Sequence, residues 1–194
     1  MKYSTSTHRY SLPTATLARA LLALLLFGAF LPCVQAQGKG KRAPQLPATL
    51  QVPAGHKLHA RAYAEGVQIY VWTVNPTNAA LSSWVFREPE AILYADAGGH
   101  GEIGIHYAGP TWESNSGSKV VGARVAGSTV DPTAIPWLLL QTTTAKGPGI
   151  FARTTYIQRV NTVGGLAPAT PGTSAGQEAR VPYTAVYFFF RGKH

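Results

Sequence analysis

The sequence holds a single cysteine, Cys33, and none after it. Whatever folds beyond that point has no disulfide, so packing alone must hold it together. Charge is scarce: 13% of residues are Asp, Glu, Lys or Arg, and only 8 are acidic. A carboxylate pair for glycoside hydrolysis would need two of those few acids to face each other. No apolar run reaches the roughly 20 residues of a membrane-spanning helix, and the longest, over 20–31, has about twelve. No Asn-x-Ser/Thr acceptor occurs, because Asn75 is followed by Pro76. Helical periodicity is missing too. Beyond that run no window keeps apolar residues at three-and-four spacing, and 14 prolines punctuate the chain.

What is present begins with a targeting segment. Lys2, Arg9 and Arg19 precede the apolar run, and Val34-Gln35-Ala36 supplies the small residues at −3 and −1 that signal peptidase accepts. The expectation is a signal peptide over 1–36 with cleavage before Gln37, and a secreted product, periplasmic or extracellular. Phe30-Leu31-Pro32 is a poor lipobox before Cys33, which argues against a lipid anchor. No later segment would make the processed chain transmembrane by a helix. Three of the 17 Lys and Arg lie in the leader, so 14 face 8 acids afterwards. Lys39, Lys41 and Arg42 belong to a flexible, basic, Pro-rich lead-in over 37–48. The remaining body, 49–194, is only mildly basic, which calls for no nucleic-acid partner.

That body reads as one all-β domain, an antiparallel sandwich or barrel of about nine strands. The candidates are 58–64, 67–71, 81–86, 91–95, 102–107, 119–125, 137–144, 154–160 and 184–190. The first two alternate apolar and polar residues on either side of Glu65-Gly66, the pattern of a hairpin. Trp137-Leu138-Leu139-Leu140 and Tyr187-Phe188-Phe189-Phe190 are continuously apolar. Such strands are buried on both faces, unlike the strands of a membrane barrel. The stretch 166–180 is long, small and polar, as functional or mobile loops are.

Several strings invite chemistry. Gly99-x-Gly101-x-x-Gly104 matches the dinucleotide-binding string but runs into a strand, not the helix that holds a pyrophosphate. No cofactor is therefore expected. His100, His106 and Glu113 could ligate a metal only if the chain folds back, since an extended strand holds the two histidines about 20 Å apart; no metal is expected. Ser114, Ser116 and Ser118 lie in a turn-like stretch without a nucleophile elbow. The densest cluster is His106, Tyr107, Trp112 and Glu113 around Gly109-Pro110, with Gln158, Arg159 and Asn161 later in the chain. Aromatic faces and hydrogen-bonding groups together make a concave binding site.

These same segments carry a resemblance. Gly66-Val67-Gln68-Ile69-Tyr70, His106-Tyr107-Ala108-Gly109-Pro110-Thr111-Trp112-Glu113, Ile135-Pro136-Trp137-Leu138-Leu139 and Val181-Pro182-Tyr183-Thr184-Ala185 resemble the DUF3455 family, secreted bacterial and fungal proteins of unassigned function. So do Gly117-Ser118-Lys119-Val120-Val121-Gly122 and Tyr156-Ile157-Gln158-Arg159-Val160-Asn161 with the four residues that follow. The resemblance implies a cysteine in many relatives where Trp72 stands, and another shortly before Val181. This chain would then lack their disulfide. A malate dehydrogenase label carried by some relatives gains nothing from a chain in which no nucleotide-binding unit can be built.

Three functions follow as expectations. The first is a non-enzymatic ligand-binding or interaction module, with His106, Tyr107, Trp112, Glu113, Gln158, Arg159 and Asn161 sharing one hollow for a glycan or other small polar ligand. The second is a hydrolase or lyase using Glu113 and His106 as acid and base. The third is a structural envelope protein whose contact is the basic segment 39–42.

Overall fold

In the computed structural model, which describes residues 46–193, eight strands run antiparallel in chain order and the last returns to pair with the first. They are β1 (His56–Thr73), β2 (Ser83–Tyr94), β3 (Glu102–Tyr107), β4 (Thr111–Ser114), β5 (Lys119–Ser128), β6 (Trp137–Lys146), β7 (Tyr156–Gly164) and β8 (Glu178–Gly192). The result is a closed all-β barrel, with only two short 3-10 turns, Ala48–Leu50 and Ala79–Leu81. The leader and most of the lead-in, including Lys39, Lys41 and Arg42, lie outside the described residues.

The expected nine strands become eight through two fusions and one addition. Glu65-Gly66 is not a hairpin turn: β1 runs straight through it for 18 residues. Gly66 is needed because β2 passes close by, and a Cβ there would strike the Glu90 carbonyl oxygen and Ala91 Cα. The alternation does not restart after the glycine. Ala60, Ala62 and Ala64 face the core, and Gln68 and Tyr70 continue the same inner phase. The second fusion is β2, which carries Arg87, Glu88, Pro89 and Glu90 without breaking. Its pairing with β1 slips between Ile69 and Tyr70, leaving Arg87 as the extra residue of a bulge. The added strand is β4. It has four residues and pairs with β3 across Gly109-Pro110, His106 opposite Trp112.

Two apolar clusters flank the wall. Inside, the three alanines of β1 leave room for Trp112, Phe151, Tyr187 and Phe189, with Leu93, Val120 and Ile157 filling between them. Small residues on one strand facing large ones on others is how a narrow barrel is packed. Outside, Val160, Phe188 and Phe190 are covered by Leu46, Val52, Leu58 and Trp137. The run Tyr187-Phe188-Phe189-Phe190 is thus buried on both faces, alternately in the barrel and under the segment that precedes β1. Exposed ion pairs such as Arg180–Glu90 (2.8 Å) and Lys119–Glu113 (2.8 Å) decorate the outer wall. No described helix is long and apolar enough to cross a membrane.

Candidate functional site

Part of the barrel interior is left unfilled by side chains. There residues of all eight strands line a hollow of about 580 Å³. Its polar lining is Gln68, Tyr70, His106, Arg159 and Tyr187; Trp112, Ile135, Leu138 and Leu140 supply apolar surface, and Phe86, Arg87 and Arg124 also border it.

His106 and Trp112 arrive as a pair because β3 and β4 place them opposite each other, both facing inward. Their rings stack at 4.4 Å with 11° between planes, and Tyr187 meets them edge-on at 5.1 and 5.3 Å. His106 Nδ1 lies 2.8 Å from the Thr111 carbonyl oxygen. A carbonyl only accepts, so Nδ1 carries the hydrogen and Nε2 keeps its lone pair. Burial lowers the His106 pKa to about 3; Thr111 opposes the shift and Arg159 adds to it. The imidazole is neutral in any ordinary medium.

Arg159 is fixed by its own backbone neighbourhood. Its Nε and Nη2 donate to the Pro136 carbonyl oxygen at 3.2 and 2.9 Å, and no acid pairs with it among the described residues. Burial pushes up the hydroxyls of Tyr70, Tyr183 and Tyr187, and the Arg159 charge pulls each of them back. The Arg159 charge thus reaches all three hydroxyls, with burial the larger influence on each. Tyr70 donates to the Gly165 carbonyl oxygen at 2.6 Å, which ties the stretch between β7 and β8 to β1. Four buried side-chain atoms have no hydrogen-bond partner among the described residues: Gln68 Nε2, Trp112 Nε1, Thr142 Oγ1 and Gln158 Oε1.

Of the seven residues expected to share one hollow, the structure brings together His106, Trp112 and Arg159. The other four are elsewhere. Tyr107 and Glu113 are on the outer side of the wall, since neighbours in a strand point oppositely. There the Tyr107 hydroxyl donates to Glu113 Oε2 at 2.6 Å, and Lys119 Nζ reaches the same oxygen at 2.8 Å. Lys119 and then Tyr107 hold the Glu113 carboxyl below the usual carboxylate range. Gln158 is next to Arg159 but faces out, donating to the Leu50 carbonyl oxygen at 2.7 Å beneath the covering segment. Asn161 is exposed, with φ of 50° where the β7–β8 register shifts, beside a separate recess near Tyr63 and Thr184.

Sequence reasoning missed Gln68, Tyr70 and Tyr187. The legible clue was the even-numbered phase of β1, which carries through Gly66 to Gln68 and Tyr70; Tyr187 was hidden inside an aromatic run read wholly as core. The remaining strings resolve into local structure. Gly99 and Gly101 belong to the β2–β3 connection and Gly104 to β3, with no helix following. Ser116 and Ser118 hydroxyls accept from the Ile150 and Phe151 backbone N–H groups, and Ser114 pairs with Ser116 at 2.7 Å. His100 is exposed on a turn with Asp96, far from the buried setting of His106. Among the described residues no three His, Cys, Asp or Glu converge as metal ligands would.

No curated protein and no solved structure matches this chain. The string running from His106 to Glu113, which crosses the β3–β4 turn and supplies the stacked pair, lies within a longer match. Residues 53–191 fit the family described as a protein of unknown function, DUF3455, and the chain belongs to that family.

Proposed function

We propose that the chain is a binding module working outside the cytoplasm, which takes a small ligand into the hollow of its barrel. The observation that carries this reading is a hollow of about 580 Å³ with a mostly apolar lining, bordered by the Arg159 guanidinium, which has no acidic partner among the described residues. A charge without an acidic partner beside a mostly apolar space of ligand size is the setting in which a ligand group of opposite charge is held. The extracytoplasmic setting rests on the leader read from 1–36. A glycan would set many hydroxyls against Ile135, Pro136, Leu138 and Leu140, so a compact ligand with an apolar body fits better.

Acid–base catalysis by His106 and Glu113 is disfavoured. The two side chains lie on opposite sides of the wall, and Glu113 is already engaged by Lys119 and Tyr107. A general acid and base must both reach one substrate.

The test is a screen of flat apolar fragments against ¹⁵N-labelled protein, following the Trp112 indole N–H resonance, assigned with Trp112→Phe. Binding in the hollow should move that resonance. An indole signal unmoved by every fragment of a broad panel would defeat the reading.

A further inference from the structure

We infer that the ligand of the hollow carries an anionic group, a carboxylate or its equivalent on a flat apolar body, with Arg159 as its counter-charge. This deepens the binding reading and rests on it.

The groups around the hollow are one-sided in charge. Arg87, Arg124 and Arg159 all line it, and no Asp or Glu does. Arg87 is neutralised by Glu88 at 3.1 Å and Glu178 at 2.9 Å. Arg159 has no such partner among the described residues, and two of its N–H groups are spent on the Pro136 carbonyl oxygen, which fixes the guanidinium plane without cancelling its charge. A part-buried charge of this kind is costly until something neutralises it. Its reach is visible in the interior: Tyr70, Tyr183, Tyr187 and His106 all sense its field.

A cation without an acidic partner calls for an acceptor carrying negative charge. The remaining lining, Leu138, Leu140, Ile135 and Pro110, suits an apolar body.

Two probes of the same shape separate the outcomes: 2-naphthoate and 2-naphthamide, titrated by calorimetry against the full processed chain and followed at the Trp112 indole resonance. The wild type should bind naphthoate about tenfold or more tightly than naphthamide. Arg159→Gln should abolish that preference; Arg159→Lys, which keeps the charge without the fork, should retain part of it. Naphthoate affinity should be flat from about pH 5 to pH 9, because His106 stays neutral and the three tyrosines stay protonated. Affinity that climbs as pH falls would assign the cation to a histidine and overturn the inference. Equal affinities for the two probes would also overturn it, leaving the hollow as a binding site for neutral ligands. Failure of both probes to move the indole resonance would remove the binding reading as well.

Discussion

A histidine only 2% exposed and stacked on an indole has no room for a proton. In the unfolded chain His106 protonates near its ordinary pKa of 6.5, whereas in the barrel it resists until about 3. The unfolded state therefore takes up the proton first as pH falls. The stability that neutral His106 lends is complete above pH 6.5 and is lost progressively down to about 3, at roughly 1.4 kcal/mol per pH unit. Asp96, Asp131 and Glu113, whose pKa values are lowered by hydrogen bonds, add to acid sensitivity only below the ordinary carboxylate range. In His106→Asn, whose amide can still donate to Thr111, chemical denaturation between pH 6.5 and pH 4.5 should show a visibly flatter profile than the wild type; parallel profiles would refute the assignment. At this scale the sequence was half legible. It offered His106, Trp112 and Arg159 by residue type, but one strand position separates Arg159 from Gln158, and residue type does not say which side of a wall a side chain takes. Glu113→Gln should accordingly leave affinity for the ligand of the hollow unchanged within about twofold, since it breaks only an exposed contact with Lys119.

Among the elements, β1 decides most. It pairs with β8 along nearly its whole length, from His56 to Val71, and with β2 from Tyr63 to Thr73, so one continuous strand joins both neighbours. Gly66→Ala would force β1 and β2 apart at Ala91 and should cost about 2–3 kcal/mol in urea unfolding; a change near zero would mean the strands separate freely. The sequence suggested two arms here because the inner phase changes from alanine to Gln68 and Tyr70 while the outer phase turns apolar at Val67 and Ile69. β4 escaped notice for another reason: four residues after a Gly-Pro turn are too few to show a period. The covering segment before β1 is a second decisive element. Leu50 is fully buried at the 3-10 turn, and its carbonyl oxygen holds Gln158. Leu50→Ala should destabilise the protein by about 2–5 kcal/mol, measured the same way. The stretch between β7 and β8 packs on Trp72 and Trp84. Gly172 lies against the Trp72 ring, the Trp84 indole donates to the Thr170 carbonyl oxygen at 2.9 Å, and Trp72 exchanges backbone hydrogen bonds with Gly176 and Gln177. Trp72 is where the family resemblance implies a cysteine in relatives. An indole packed on a glycine joins the same two parts of this chain without one.

For the whole molecule, closure is the organising fact. All-β character could be read from the alternation and the scarcity of helical periodicity, but sandwich and barrel share those signs. Only the pairing of β8 with β1, between the two ends of the described chain, settles it, and no local pattern encodes a contact that distant. Such a contact is slow to form, because the chain must order much of its length before the last seam is made. Stopped-flow refolding should accordingly fall in the range of milliseconds to seconds, and a microsecond phase that restores full native fluorescence would contradict this order of events.

A wall one residue thick also has a meaning for anyone comparing relatives. The string from His106 to Glu113 looks like one signature, yet the barrel divides it between two neighbourhoods that never meet. His106 and Trp112 answer to Arg159 and Tyr187; Tyr107 and Glu113 answer to Lys119. Across a family alignment the odd and even letters of that string should therefore drift in separate rhythms, each set tracking its own distant correspondents and indifferent to the letter beside it.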